Sequence, residues 1–100
     1  MKLTDNELAI INDYLRDKPV VRAYVFGSYS RNEADAQSDL DLLVELDYSQ
    51  PIGWKFVEMK LDLELLMQKS VDLVSANGLS PRIGPFIHAD KQLIYERSLQ

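Results

Sequence analysis

Apolar and polar positions alternate along this chain with two periods. Thr4-Asp5-Asn6-Glu7 has the form of a capping box, in which the first and fourth residues satisfy each other's backbone at a helix start. Leu8, Ile11 and Leu15 then recur at helical spacing, with Tyr14 close to the same face, and Pro19 ends the run. Residues 20–26, Val-Val-Arg-Ala-Tyr-Val-Phe, are β-branched and aromatic and predict a strand that stops at Gly27-Ser28. A polar stretch over residues 29–37 predicts one or two helical turns. Residues 40–46 predict a second strand with Leu40, Leu42, Val44 and Leu46 on one face.

Ser49-Gln50-Pro51 opens a third segment, in which Ile52, Phe56, Met59, Leu63 and Leu66 share a helical face through Met67. Residues 71–74 predict a short third strand, and Asn77-Gly78 a turn. Ser80-Pro81 reads as an N-cap with proline at the first helical position. Ile83, Phe86, Ile87, Leu93 and Ile94 predict a last helix, with Pro85 acceptable only in a first turn. The expected order is helix, strand, short helix, strand, helix, strand, helix. The expected fold is α/β (α+β): a small mixed sheet with helices packed on it, forming one domain over residues 1–100.

Composition narrows the function classes. The chain is 46% hydrophobic and 27% charged, an ordinary balance for a soluble domain. It has no cysteine, so neither a disulfide framework nor a thiolate metal site is available. No apolar run has the length of a bilayer span, and the N-terminus is too acidic for a secretory signal. A cytoplasmic location and no membrane partner are expected. The net charge of −5 and the lack of a basic cluster argue against direct nucleic-acid binding.

The acidic strand carries the candidate chemistry. Asp39 and Asp41 stand two apart in Ser38-Asp39-Leu40-Asp41, so they share one strand face while Leu40 and Leu42 take the other. For an isolated Asp-x-Asp, a solvated strand edge is the usual explanation. Here Asp72 sits alone within the apolar run Val71-Asp72-Leu73-Val74. A carboxylate on a buried strand is costly without a partner. If the third strand lies beside the second, Asp72 completes a cluster of three, whose repulsion divalent cations would relieve. Glu45, Asp47 and Glu58 are read as surface charges.

Gly27-Ser28 offers a phosphate corner. Glycine permits close backbone approach, the amides opening a helical turn attract anions, and the Ser28 hydroxyl adds a donor. Arg31 is a candidate cation for a triphosphate. A Gly-Ser pair alone is most often a plain turn; its closeness to the acid strand changes that weighting. The Walker and dinucleotide glycine patterns are absent.

Gly-Ser, ten residues, then Asp-x-Asp and a later third acid is the pattern of the superfamily that includes DNA polymerase β and the aminoglycoside nucleotidyltransferases. Here Gly27-Ser28 precedes ten residues and then Asp39-Leu40-Asp41, with Asp72 following. The strings Phe26-Gly27-Ser28-Tyr29-Ser30-Arg31-Asn32-Glu33-Ala34 and Ser38-Asp39-Leu40-Asp41-Leu42-Leu43-Val44 resemble the minimal nucleotidyltransferases of prokaryotes. So do Val71-Asp72-Leu73-Val74 and the stretch from Pro81-Arg82 to Ile94-Tyr95-Glu96. The resemblance covers nearly the whole chain. Glycine is usual in the family where Asn32 stands, and asparagine tolerates a left-handed backbone better than most residues.

The resemblance implies a nucleotidyltransferase fold and transfer of a nucleoside monophosphate, AMP from ATP, to an acceptor hydroxyl. It implies two Mg²⁺ ions, with Mn²⁺ as a substitute, on Asp39, Asp41 and Asp72. Asp72 would also help deprotonate or orient the acceptor. Gly27 and Ser28 would hold the β- and γ-phosphates; Arg31 and Ser38 are weaker nucleotide-site candidates, Ser38 being equally readable as a turn serine that steadies the loop. Several family members are antitoxins of HEPN-domain toxins, so a tyrosine of such a toxin is the implied acceptor. A binding-only antitoxin that acts by contact is the alternative. An Asp-x-Asp glycosyltransferase is a further one, disfavoured because 100 residues leave little room for a sugar-nucleotide domain.

His88, the single histidine, is not expected to bind metal. Trp54, Tyr14 and Tyr24 are expected in or at the core, and Tyr48 and Tyr95 outside it. Arg82 is read as a surface residue. Exposed apolar residues on the helix that carries Phe56, Met59 and Leu63 would be able to meet a partner.

Overall fold

A computed structural model describes residues 2–35, 37–79, 81–82 and 84–97. Helix α1 spans Asp5–Leu15 and begins with the expected capping box. The Glu7 N–H donates to the Thr4 hydroxyl at 3.1 Å, and the Thr4 N–H donates to the Glu7 carboxylate at 3.0 Å. Strand β1 is Val20–Phe26, β2 is Leu40–Leu46, β3 is Val71–Ser75 and β4 is Gln92–Glu96. They form one mixed sheet in the order β3-β2-β1-β4. β1 is antiparallel to both β2 and β4, and β2 runs parallel to β3. A parallel pair needs a crossover, which helix α2, Lys55–Met67, supplies.

One face of the sheet holds the core. Leu40, Leu42 and Val44 of β2 pack with Ala23 and Val25 of β1 and with Val71 and Leu73 of β3. Ile11 and Leu15 of α1 and Met59, Leu63 and Met67 of α2 join them, all nearly or fully buried. Asp39 and Asp41 therefore belong to the other face. Leu43, also buried, lies outside that main cluster, as does Ile87.

The C-terminal part differs from the sequence expectation. The last helix ends early: α3 covers only Gly84–Asp90, and Leu93 and Ile94 belong to β4. Local periodicity did not separate the two, because β4 is specified by the open edge of β1, where Ala23 pairs with Tyr95. The Asn12 side-chain amide fastens this strand by donating to the carbonyls of Leu8 and Ile94, each at 2.9 Å. Tyr95 is consequently buried rather than exposed. Ser80, expected to cap that helix, and Ile83, expected on its apolar face, lie outside the described residues.

Three smaller differences follow. Residues 27–32 form successive hydrogen-bonded turns instead of a helix. Helix α2 starts after Ile52, and its buried stripe runs Met59, Leu63, Met67 while Leu66 faces out. Trp54 is 79% exposed, not core, because it caps α2 at the end farthest from the buried stripe. Asn77-Gly78 turns within a 3₁₀ segment, Ala76–Gly78. No helix among the described residues is long and apolar enough to cross a membrane.

Candidate active site

Backbone register assembles the site. Phe26, the last residue of β1, pairs with Asp41 on β2, and Asp41 pairs with Asp72 on β3. Paired residues on adjacent strands have side chains on the same face, so Asp41 sits between Phe26 and Asp72. Asp39, two residues earlier, shares that face. β3 does lie beside β2, so the condition under which Asp72 joins the acid pair is met.

Asp41 is the inner acid and Asp39 and Asp72 are exposed. Burial pushes the Asp41 carboxyl up to about 6, and the charges of Asp72 and Asp39 push in the same direction, while Arg31 opposes them. Its ionised form is disfavoured by both desolvation and like charge. Among the described residues no group of three His, Cys, Asp or Glu side chains is arranged to hold a metal ion. The donor set nevertheless suits Mg²⁺: hard carboxylate oxygens whose mutual repulsion a cation would relieve, on an open face where substrate phosphates complete the shell.

Gly27 follows directly, with φ +72. That left-handed backbone ends β1 and turns the chain. The turn is closed by the Ser30 and Arg31 N–H groups donating to the Gly27 carbonyl at 3.1 and 3.2 Å. The Ser30 hydroxyl donates to the same oxygen at 2.9 Å. Ser28 accepts from the Glu33 N–H at 2.8 Å through its carbonyl; its hydroxyl has no partner among the described residues. Asn32 has φ 59, the left-handed position anticipated for it. The turn delivers Gly27 and Ser28 to the edge of the acid face, next to Asp41.

Arg31 lies close enough to lower the Asp41 carboxyl. Its guanidinium is held by Glu33 at 3.1 Å and by Asp90 of α3 at 2.5 Å. Ser38 steadies the loop: its hydroxyl accepts from the Asp35 N–H at 2.9 Å and donates to the Asp35 carboxylate at 3.2 Å. Arg82 and His88 are exposed. Glu45 pairs with Arg22 at 2.9 Å and Asp47 with Arg97 at 2.7 Å, so both are structural charges at the end of β2 away from the acids.

Two supports of the corner escaped the sequence reading. Tyr29 points inward, 4% exposed, and its hydroxyl meets Lys69 Nζ at 2.6 Å. Lys69 also reaches Glu7 of α1 at 3.4 Å and lies over the Tyr29 ring at 4.8 Å. From the other side, the Gln92 amide donates to the Ser30 carbonyl at 3.1 Å. These partners lie 40 and 62 residues apart, and nothing local announces either.

The chain and its fold have counterparts among known proteins. Residues 8–96 match the model of the nucleotidyltransferase domain. The chain belongs to the nucleotidyltransferase domain family. It is therefore an enzyme of the nucleotidyltransferase class, as its motif implied. Among curated relatives of this family, the protein adenylyltransferase MntA of Thermococcus cleftensis is 43% identical over 70 residues, 69% of this chain and 70% of that protein. Across the curated relatives it matches, the chain spans 63% to 82% of their own length. A solved structure provisionally named a minimal nucleotidyltransferase superposes with a TM-score of 0.77 at 33% identity, covering 92% of this chain and 95% of that one. The fold also matches a complex of a tri-AMPylated Shewanella oneidensis HEPN toxin with its MNT antitoxin. There the TM-score is 0.69 at 22% identity, over 91% of this chain and 71% of that one.

Proposed function

We propose that this nucleotidyltransferase moves AMP from ATP onto a hydroxyl of a partner protein, a tyrosine of a HEPN-domain toxin, and so acts as an antitoxin in the cytoplasm. The observation that carries the chemistry is Asp41 in register with Asp72 and against the Gly27 turn. The relatives named above support the choice of nucleotide and of partner.

In this reading the Gly27 and Ser28 amides and the Ser28 hydroxyl hold the β- and γ-phosphates, and Arg31 adds charge beside them. Asp39, Asp41 and Asp72 would hold two Mg²⁺, with Mn²⁺ as a substitute; bound there, the ions neutralise the charge that develops on the phosphates. Asp41, inner and next to Gly27, faces the donor. Asp72, exposed on the neighbouring strand, faces the incoming acceptor and takes its proton. The acceptor oxygen forms a bond to the α-phosphorus, the bond from that phosphorus to the β-bridging oxygen breaks, and pyrophosphate leaves with that electron pair. Ser38 acts by fixing the loop that leads into Asp39.

The test is intact-protein mass spectrometry of the product of the neighbouring reading frame, after incubation with this protein, ATP and Mg²⁺. Wild type should add AMP mass and Asp41→Asn should add none. If wild type adds no mass, yet both proteins neutralise the toxin equally, neutralisation is by contact alone and the enzymatic reading fails.

A further inference from the structure

The outer face of α2 is apolar where a surface helix is ordinarily polar. Val57, Leu61 and Leu65 are 43%, 53% and 78% exposed, and Trp54, at the N-cap, is 79% exposed. Their spacing of three, four and four residues sets them in one stripe. The buried stripe of the same helix, Met59, Leu63 and Met67, lies on the opposite side. The hydrophobic pattern of α2 is thus two-sided: one side serves this chain's core, and the other stays exposed among the described residues.

We propose that this stripe is the contact between two copies of the chain, packed as α2 against α2 about a two-fold axis near Leu61. Three observations favour a second copy. The first is position. α2 covers the core face of the sheet, and the three aspartates lie on the other face. A partner seated on α2 leaves the reactive face open, whereas a protein presenting its hydroxyl to Asp72 must come from the opposite side. The second is charge. The charged residues of α2 are Lys55 and Lys60 with Glu58, Asp62 and Glu64, both signs with a net of −1, so two identical faces meet with little like-charge repulsion compared with the chain's total of −5. A strongly basic or acidic partner would find no complementary field there. The third is area. One large aromatic and three aliphatic side chains at these exposures present on the order of 400–500 Å² of apolar surface. With the stems of the flanking charges, that approaches the roughly 800 Å² per partner of a standard interface. The stripe is self-complementary, as a two-fold contact requires: each copy's Leu61 meets its own counterpart, and Val57 meets Leu65.

Sedimentation equilibrium of the whole chain, without nucleotide, tests this apart from any enzymatic claim. Wild type should sediment at twice the chain mass at micromolar concentration. Leu61→Glu should be monomeric, with the dissociation constant raised at least about 100-fold, and should keep its circular dichroism spectrum because Leu61 does not face the core. The chain has no cysteine, so Leu61→Cys supplies a second measurement: mild oxidation should convert most of the protein to a disulfide-linked dimer, whereas a cysteine at exposed Gln37 should not cross-link. A wild-type monomer at hundreds of micromolar overturns the proposal. So does a dimer that survives Leu61→Glu, or a monomeric wild type that loses its grip on the acceptor protein in Leu61→Glu, which would assign the face to the acceptor instead.

Discussion

A β-carbon placed on Gly27 would stand 2.3 Å from Oδ2 of Asp41. The turn that ends β1 and the inner acid of β2 are therefore in direct contact, and the glycine is required twice. Its φ of +72 is strained for any residue with a side chain, and the space is already taken by a carboxylate that register holds in place.

Gly27→Ala should accordingly displace Asp41 as well as strain the turn. The backbone cost is about 1–3 kcal/mol, which a thermal melt reads as a lower midpoint. Activity should fall further than stability explains, since the acid and the phosphate corner move together. An Ala variant with wild-type turnover would show that Asp41 yields freely and that the contact has no functional consequence.

Asp41 also makes a pH-dependent prediction for the metal-free protein. Its carboxyl is raised to about 6 in the fold, from an ordinary 3.8. Above about 6 it is ionised in folded and unfolded chains alike, and the fold bears the full repulsion and desolvation. As pH falls through 6 toward 4 the folded chain takes up the proton first, so this penalty disappears. Asp41→Asn removes it at every pH. The variant should melt higher than wild type at pH 7–8, by about 1–2 kcal/mol once solvent screening at this half-open site is allowed for. The advantage should shrink toward zero near pH 4. A pH-independent difference between the two melts would mean that Asp41 has an ordinary carboxyl.

The placement of the acids was more legible in the sequence than the edges of the fold. Asp39-Leu40-Asp41 reads directly as a two-residue strand period, and Asp72 stands out because nothing else in its run is polar. Both signals are local, and parallel pairing of β3 with β2 only had to bring them together. β4 was hidden because Leu93-Ile94-Tyr95 suits helix or strand equally, and the choice is made by the free edge of β1. Trp54 misled for a related reason: large aromatics are usually interior, but its position at the start of α2 turns it outward. The Tyr29–Lys69 contact was illegible for want of any local rule linking residues so far apart.

That contact predicts a loop effect. Lys69 joins the Tyr29 hydroxyl to Glu7, so the Gly27 turn is fastened from behind to the start of α1. Lys69→Met should leave two polar groups without their cation and cost about 1–3 kcal/mol. Tyr29→Phe, which removes only the hydroxyl, should cost about 0.5–1.5 kcal/mol. Both should speed amide exchange over residues 27–32 more than in β2 or β3. Uniform acceleration across the chain would reduce Lys69 to a general stabiliser.

Nucleotide and metal should bind together or barely at all. Three carboxylates on one open face repel a triphosphate carrying up to four negative charges, and the Gly27-Ser28 turn with the paired Arg31 offsets only part of that. Mg²⁺ held by the three carboxylates would reverse the sign of the local field and favour the phosphates. Calorimetry should therefore show ATP binding in Mg²⁺ and a loss of at least about tenfold in chelator. Ser28→Ala should weaken binding in Mg²⁺ by about 1.5–3 kcal/mol, the range for a hydrogen bond to a charged group, without lowering the melting temperature, because its hydroxyl holds nothing among the described residues. Asp72→Asn should change ATP affinity less than Asp41→Asn does, since the proposed reaction sets Asp72 on the acceptor side, yet should lower turnover as much or more. Equal ATP affinity with Mg²⁺ and with chelator would remove the metal from the binding step. An Asp72→Asn variant with full turnover would return the acceptor proton to another group.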